Sequence, residues 1–525
     1  VMLSAPARLH VRGMAINLVT KDYAGKKLVS GQIQSTWNQS KYGEWQGKGN
    51  LLLQKGKLGL DAMYSFTDGT SYGETNNDAN HPLLGKRVTY QDKTSQKTDG
   101  LTHNYRLGLS YDFADNHQLS LAYTGKWDSS HSHHETIGAS TSQQHGNEHI
   151  YLHNIDASYT LPFGLQLGMS YLYYKDPRQQ NLEGTMLNEE RTIETNSKQV
   201  IDKWLFTADQ SHSLKHGWEL SYGMKFQRSN NRSYQTTINK NGTEIPDATS
   251  QVNIEERILS VYGGISKQLN ERISLEASAE AEQYHSPQWN KWHVYPTLNA
   301  LWKANPSNIL NLSFSSNSKF PSYWSTMNSI YYASTYMEIW GNPNLKPCST
   351  YETSLMWTLK SRYTLMAFAK FQPKYSVQLP YQPTDHLAVI MKETNFDYNH
   401  TMGIQASASF CMGSWLNGNI SATGIYRHDK SNDFFDLPFN RKHISAILGG
   451  KLSARLSRSH HIHFILTPFY QSKAIQGLYD INSVFRLNAM LRWTSDNGKW
   501  SIVATGHNIF NEGFTTKSVQ GNQDY

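Results

Sequence analysis

Several imidazole side chains fall close together in the segment that begins SSHSHHETIG. His131, His133 and His134 are near neighbours, and His145 and His149 follow a short distance along the chain. Imidazole nitrogens are ligands for Zn²⁺, Cu²⁺ and haem iron. His131, His133 and His134 are therefore candidate metal ligands, and the competing interpretation is a solvated, pH-sensitive loop.

A second group of candidates is aromatic and lies in the stretch PSYWSTMNSIYYASTYMEIW. Aromatic rings with polar tips suit flat or amphipathic ligands and sugars, and they are enriched at recognition surfaces. The alternative is that these rings pack the loop against its neighbours. The candidate ligand-binding residues are Tyr323, Trp324, Tyr331, Tyr332, Tyr336 and Trp340.

Three carboxylates share one parity in ISLEASAEAEQY, at Glu276, Glu280 and Glu282. Such a cluster can act in acid–base catalysis, or it can supply wall charges that pair with arginines on neighbouring segments. The sequence contains no Gly-rich phosphate loop, nucleophile elbow or HExxH motif. We therefore predict a protein that is not an enzyme and that needs no cofactor.

Apolar and polar residues alternate along many segments of the chain. In YRLGLSYDF, Tyr105, Leu107 and Leu109 oppose Arg106 and Ser110, and WELSYGMKF and FRLNAMLRW follow the same pattern. A period of two predicts strands whose two faces meet different surroundings. The candidate residues must then be positioned by a large β-sheet.

The connections between these segments alternate between tight turns and long polar stretches. Short turns include KGK, ADNH, PFG and SDNG. Short turns at one end and long loops at the other are typical of outer-membrane barrels. We predict about 21 strands of roughly 10–14 residues, against the 9–11 that a tilted strand needs to cross a bilayer. The long loops are expected at residues 67–102, 128–147, 176–197, 229–250 and 318–346.

Composition supports the same fold class. Apolar residues make up only 38% of the 525 residues, whereas aromatic residues make up 12%. The mean hydropathy is -0.61, and no apolar run is long enough for a transmembrane helix. The net charge of +7 is scattered along the chain, so we predict no nucleic-acid partner. A soluble propeller or tandem sandwich is the alternative, but no repeat of fixed period is present.

Three segments resemble signatures of the TonB-dependent outer-membrane receptors. GMAINLVTK, residues 13–21, is similar to the family's G-x-x-I-N-I-x-T-K segment, which ends the plug domain and leads into the barrel. GNPNLKPCSTYETSLMW, residues 341–357, resembles G-N-P-x-L-K-P-E, with Cys348 where the family usually has Glu. GHNIFNEGF, residues 506–514, resembles the N-L-F-N segment near the last strands. We expect the GNPNLKP segment to be a structural turn rather than a ligand contact.

The resemblance implies an all-β, transmembrane antiparallel barrel of about 22 strands in the bacterial outer membrane. Residues 1–21 would then be the C-terminal end of a plug domain, and residues 22–525 the barrel. The implied function is binding and import of a scarce nutrient, which can be a siderophore, haem, a vitamin, a glycan or a peptide. The implied partners are the inner-membrane TonB complex, acting through the plug region, and outer-membrane lipid and lipopolysaccharide. A passive porin or a protein-translocation channel is the alternative.

Two further expectations follow from the strand count. Strand one ascends after the plug signature, so the segment 500–510 is strand twenty-one, and the last strand of the family barrel has no counterpart before Tyr525. We therefore expect no ladder between that segment and the strand near residues 28–37. Cys348 and Cys411 fall at opposite ends of descending strands, which predicts that they do not form a disulfide.

Overall fold

The computed structural model describes residues 5–10, 12, 27–114, 117–459, 461–520 and 523–525. These residues contain one short α-helix, α1 (Tyr323–Thr326), and three 3₁₀ turns. The first strands in chain order are β1 Lys27–Gln39, β2 Gly43–Lys55, β3 Leu58–Leu83, β4 Lys86–Ala114, β5 His117–Gly138, β6 Ser140–Thr160, β7 Gln166–Met186, β8 Glu189–Ser213, β9 Trp218–Asn239, β10 Ser250–Asn270, β11 Ile273–His285, β12 Asn290–Asn305, β13 Asn308–Lys319, β14 Ile330–Tyr332 and β15 Met337–Trp340. The remaining strands are β16 Cys348–Leu359, β17 Tyr363–Pro373, β18 Ser376–Tyr381, β19 Val389–Asn395, β20 Tyr398–Met412, β21 Leu416–Ser431, β22 Phe439–Ser457, β23 Ile462–Gln471, β24 Ala474–Gln476, β25 Tyr479–Ile481, β26 Val484–Thr494, β27 Ser501–Gly506, β28 Thr516–Gln520 and β29 Gln523–Asp524.

Most of these strands belong to one 21-stranded sheet. Each of its strands pairs antiparallel with the next one in the chain, and the pairing skips only the short strands, as where β13 pairs with β16 and β17 with β20. Within the described residues, β1 pairs with β2 and β27 with β26, and no ladder joins β1 to β27. The predicted all-β antiparallel barrel, with 21 of its strands in this chain, is therefore confirmed. In the part of the chain that the structure describes, its first and last strands do not pair, as expected.

The two faces of the barrel strands differ as the sequence pattern predicts. On β9, Tyr222, Met224 and Phe226 are 45%, 46% and 37% exposed, because they point outward. The neighbouring Ser221 is 7% exposed and points to the lumen. Large apolar side chains on the outside of a barrel are the side chains that contact lipid.

Strand length is the main point on which the sequence prediction was wrong. Strands β3 to β10 have 21 to 29 residues, so the segments 67–102, 128–147, 176–197 and 229–250 form extended hairpins in place of the predicted loops. The reason lies in the residues that are buried there. On the upper half of β9 the buried inward positions are all small or polar, namely Ser229, Asn231, Ser233, Gln235 and Thr237. The alternation of inward and outward side chains continues there. Because the inward side chains are polar, a search for alternating apolar residues does not detect it.

Two smaller sheets lie inside the upper part of the barrel. One has the order β14-β15-β19-β18, and its central pair, β15 and β19, is parallel. We call it the inner sheet. Wall strands hold it through side-chain amides, since Gln180 Nε2 donates to the Tyr332 carbonyl at 2.7 Å and Gln235 Nε2 to the Ile330 carbonyl at 2.9 Å. The other small sheet pairs β24, β25, β28 and β29.

The GNPNLKP segment is the turn that joins these parts, as predicted. A Cβ on Gly341 would lie 1.7 Å from the Met327 carbonyl oxygen, so only glycine fits there. The Asn342 side chain donates to the Glu393 carbonyl at 2.9 Å, which links the loop before β16 to β19. The segment stabilises the inner sheet.

The remaining expectations about the chain have simple outcomes. Cys348 is buried, Cys411 is exposed and neither is bonded, so the prediction of no disulfide is confirmed. The plug signature at residues 13–21 lies outside the described residues. Among the residues that the structure describes, no helix is long and apolar enough to cross a membrane.

Candidate functional site

The candidate aromatic residues separate into two groups, because the inner sheet has two faces. Its wall face packs on the barrel. Tyr336 is 1% exposed and stacks on Tyr90 of β4 with ring centroids 3.7 Å apart. The Tyr336 hydroxyl lies 3.3 Å from His81 Nδ1 and 3.4 Å from Gln382 Nε2. Burial raises the pKa of Tyr336 to about 12. Tyr336 therefore holds the sheet to the wall.

Tyr331 and Tyr323 also face the wall. The Tyr331 hydroxyl accepts a hydrogen bond from Gln144 Nε2 of β6 at 3.4 Å. Tyr323, on α1, donates its hydroxyl to the buried carboxylate of Glu256, which also accepts from Tyr284. Three of the six aromatic candidates thus contact residues of the wall.

The opposite face of the inner sheet carries aromatic rings around one ammonium group. The register pairs Trp340 with Lys392 across β15 and β19, and Tyr381 with Ile390 across β18 and β19, so these side chains share a face. Phe435, from the loop before β22, stacks on Tyr381 with ring centroids 4.0 Å apart. We call Trp340, Tyr381, Lys392 and Phe435 the aromatic–lysine face.

Lys392 is the charged centre of this face. Its Nζ atom lies 5.9 Å from the centroid of the Trp340 ring and 5.5 Å from that of Phe435. Partial burial lowers the pKa of Lys392. Within the described residues its ammonium group has no carboxylate partner, whereas the nearby Glu338 accepts from Trp340 Nε1 at 2.9 Å. The face therefore offers one unneutralised cation between aromatic rings, which suits an anionic ligand with flat apolar parts.

The sequence predicted only part of this face. Trp340 belongs to it, and Tyr332 lies on the same side of the sheet through its pairing with Glu338. Trp324 is half-buried and belongs to α1, outside the strands of the inner sheet. Tyr381, Lys392 and Phe435 come from other loops, and no spacing in the sequence connects them to Trp340.

The histidine cluster is rearranged by strand geometry, so the prediction of one three-histidine site was wrong. The segment is part of β5, where side chains alternate, and His134 therefore points to the face opposite His131 and His133. His133 instead pairs with His145 of β6, with ring centroids 4.5 Å apart. In the described part of the chain, no group of three or more His, Cys, Asp or Glu residues could hold a metal ion.

The three carboxylates of β11 line the lumen and are neutralised by basic groups. Arg12 Nη2 lies 3.0 Å from Glu280 and 2.6 Å from Glu282, and its guanidinium stacks over a tyrosine ring. Arg8 pairs with Glu276 at 2.7 Å, and a lysine of β9 also reaches Glu280, at 3.1 Å. These carboxylates are wall charges paired with arginines, as one of the two interpretations predicted. They dock the N-terminal segment on the lumenal wall.

Fold and geometry together define a transmembrane β-barrel with folded loops inside its mouth. Residues 163–525 match the outer membrane protein beta-barrel family, and the chain belongs to that family. Its location is the outer membrane. No curated protein sequence matches the chain significantly.

Several solved structures share the fold. The siderophore receptor PirA from Pseudomonas aeruginosa is 13% identical, with a TM-score of 0.56 over 97% of this chain and 82% of that one. The ferric enterobactin receptor PfeA from Pseudomonas aeruginosa is 12% identical, with a TM-score of 0.60 over 92% and 74%. The copper transporter OprC is 9% identical, with a TM-score of 0.62 over 94% and 76%. All three are described as receptors or transporters.

Proposed function

We propose that this chain forms the barrel of an outer-membrane receptor that binds a scarce nutrient outside the cell and imports it with energy from the inner-membrane TonB complex. The observation that carries the proposal is the aromatic–lysine face, which lies on the inner sheet within the upper part of the barrel. A passive porin has no need of a recognition surface there.

The aromatic–lysine face also narrows the chemistry of the nutrient. Lys392 supplies a cation in a partly dry site, where a charge-assisted hydrogen bond is stronger than it is in water. Trp340, Tyr381 and Phe435 supply flat apolar surface. The ligand is therefore anionic and bears planar or apolar groups, which favours a ferric siderophore or haem over a neutral glycan. The similar structures described as siderophore receptors support this order of preference.

TonB coupling requires a plug domain whose movement opens the lumen. Support for such a plug comes from the sequence at residues 13–21 and from the way the N-terminal residues dock. Arg8 and Arg12 dock on carboxylates of β11 in the lumen, as the end of a plug does if it is held by a small number of ion pairs. A plug held by discrete ion pairs can be released when they are broken.

Ligand binding is tested with the purified protein in detergent against a ferric catecholate siderophore, haem, cobalamin, an oligosaccharide and a peptide. Intrinsic tryptophan fluorescence is a suitable signal because Trp340 lies in the site. We expect one anionic probe to bind, and Lys392→Ala to weaken it by about 1.5–3 kcal/mol, the worth of a hydrogen bond to a charged group. Lys346→Ala, in the GNPNLKP turn, is the matched control. Equal weakening by both variants contradicts the assigned site.

Energy dependence separates an active receptor from a passive porin. Cells that carry the gene are given the bound ligand in radiolabelled form, with and without a proton uncoupler and with and without a functional tonB gene. The proposal predicts that uptake stops in both treatments while surface binding remains. Uptake that continues in the presence of the uncoupler and without TonB would establish the porin alternative.

A further inference from the structure

In the described part of the chain, three pairs of histidine rings are in contact on the outward face of the barrel strands. They are His131 with His149, His133 with His145, and His400 with His428. Each pair joins two adjacent strands, β5 with β6 or β20 with β21. Directly opposite side chains of an antiparallel pair have Cβ atoms about 4.5–5.5 Å apart, which is close enough for both to bind one metal ion. The three pairs differ in whether their rings are arranged to do so.

The pair of His133 and His145 lies beyond the membrane, on the outer surface of the β5–β6 hairpin. The register places the two residues directly opposite each other, so both rings are on the same face. That face also carries Ile137, which is 61% exposed. β5 begins at His117, so His133 lies past the 9–11 residues that cross a bilayer. The pair is therefore accessible from outside and is separate from the lumen and from the aromatic–lysine face.

The spacing of the two rings matches that of two ligands on one ion. The ring centroids of His133 and His145 are 4.5 Å apart, and the ring planes are inclined by 31°. A metal–nitrogen bond of about 2.0–2.1 Å places an imidazole centroid about 3.2 Å from the ion, so two ligands at a right angle have centroids about 4.5 Å apart. Two ligands at the tetrahedral angle have centroids about 5.2 Å apart. The pair therefore fits a tetragonal ion, and imidazole ligands in that geometry favour Cu²⁺ or Ni²⁺.

The ring nitrogens of this pair are also free to bind. His133 Nδ1 is buried without a hydrogen-bond partner, and neither ring of the pair forms a hydrogen bond or an ion pair with another of the described residues. In the other two pairs a ring nitrogen is already occupied. His131 Nδ1 lies 2.7 Å from Asn147 Oδ1. His428 Nε2 lies 2.6 Å from Asn440 Oδ1. The rings of those two pairs are also 6.2 and 6.1 Å apart and nearly perpendicular, which does not suit two ligands at a right angle.

The neighbouring strands leave the pair without a strong opposing charge. Lys97 of β4 is opposite His133, but its ammonium group is neutralised by Asp99 at 3.1 Å. On the other side, His145 is opposite the neutral Asn181 of β7. Among the residues that the structure describes, no third His, Cys, Asp or Glu joins the pair. Water therefore fills the remaining positions of an ion bound there.

We propose that His133 and His145 bind one Cu²⁺ ion as neighbouring ligands at a right angle, on the outer surface of the β5–β6 hairpin. Cu²⁺ is favoured over Ni²⁺ because it forms the most stable complexes of the divalent first-row ions. The ion joins two adjacent strands and so stabilises the part of the hairpin that extends beyond the membrane. This site faces away from the lumen and does not depend on the proposed import function.

The test is calorimetric titration with Cu²⁺ of the full chain, purified in detergent without a histidine tag. His133→Ala and His145→Ala are each expected to weaken one Cu²⁺ site by roughly tenfold or more, since loss of even an outer partner of a metal ligand costs about 10–100-fold. The double variant should cost little more than either single variant, because the two ligands act as a unit. His131→Ala and His149→Ala are the matched controls on the same hairpin and should leave the affinity unchanged.

Electron paramagnetic resonance of the bound Cu²⁺ provides a second measurement, because its hyperfine splitting counts the nitrogen ligands. We expect two imidazole nitrogens in the wild type and one in either single variant. His145 is exposed, so His145→Ala should leave the packing of the hairpin intact and decides the question if His133→Ala does not fold. Wild-type affinity in His145→Ala would overturn the proposal. Equal weakening in the two control variants, or fewer than two nitrogen ligands in the wild type, would also overturn it.

Discussion

Replacing Tyr336 by alanine should release the inner sheet from the barrel wall. The ring is 1% exposed and stacks on Tyr90. A tyrosine buries about 150–250 Å², which at about 25 cal/mol per Å² corresponds to about 4–6 kcal/mol. Measured truncations of buried aromatic residues cost about 3–5 kcal/mol. We take about 3–5 kcal/mol as the expected destabilisation of the closed inner sheet.

Hydrogen exchange measured by mass spectrometry reports this local free energy directly. Each 1.4 kcal/mol is a factor of about ten, so peptides over residues 330–340 and 376–395 should exchange about two to three and a half orders of magnitude faster in Tyr336→Ala. Tyr336→Phe keeps the stacked ring and loses only two long hydroxyl contacts, so we expect a change below about tenfold.

The control is Tyr363→Ala, because Tyr363 is 49% exposed on the outer face of β17. It should leave exchange in the inner sheet unchanged. If Tyr336→Ala exchanges no faster than the control, the inner sheet is not held by this contact and the assignment of the wall face is wrong.

Three other predictions concern separate parts of the chain. Burial lowers the pKa of His81, so the closed inner sheet favours the neutral imidazole. The contribution of His81 to the stability of the closed sheet is therefore complete above about pH 6.5 and is lost as the pH falls below that value. Hydrogen exchange between about pH 7.5 and 5, corrected for the intrinsic pH dependence of exchange, will detect this loss. Glu282→Gln, at a carboxylate 3% exposed, should release Arg12 from the wall at a cost of about 3 kcal/mol. Glu190→Gln removes an ion pair in which the Glu190 side chain is 73% exposed, so it should cost below about 1 kcal/mol. Hydrogen exchange of the N-terminal peptide should therefore accelerate in the first variant and not in the second. A maleimide reagent should label Cys411 rapidly in folded protein and should label the buried Cys348 only after unfolding, and equal labelling would contradict the assigned burial.

The sequence was sufficient for the barrel but not for its upper half. Alternation such as Tyr222, Met224 and Phe226 is visible because the outward side chains face lipid and must be apolar. Above the membrane both faces of a strand meet polar surroundings. Ser229 and Asn231 continue β9 without a break, yet they resemble loop residues in composition. Strand length there is set by cross-strand pairing and by contact with the inner sheet, which are both tertiary.

The sequence also predicted only part of the candidate site. Trp340 was recognisable because aromatic residues are dense around it. Lys392 and Phe435 were not, because their proximity depends on the parallel pairing of β15 with β19 and on the loop that follows β21. The histidine prediction failed for a simpler reason. Adjacent residues in a strand point to opposite faces, so His133 and His134 cannot bind one ion.

The parallel pairing inside the barrel also dictates an order of assembly. β15 and β19 are separated along the chain by the hairpin of β16 and β17, which crosses the membrane twice. The inner sheet can close only after this hairpin has inserted. The reason is that one pair of its strands, β14 and β15, precedes the hairpin in the chain, and the other pair, β18 and β19, follows it. Until then Val389 and Ile390, which are 0% and 2% exposed in the closed sheet, have no apolar surroundings. Contacts between distant segments form slowly. Refolding should therefore show a late phase in which the inner sheet closes. This phase should follow the step at which the barrel becomes resistant to heat in detergent.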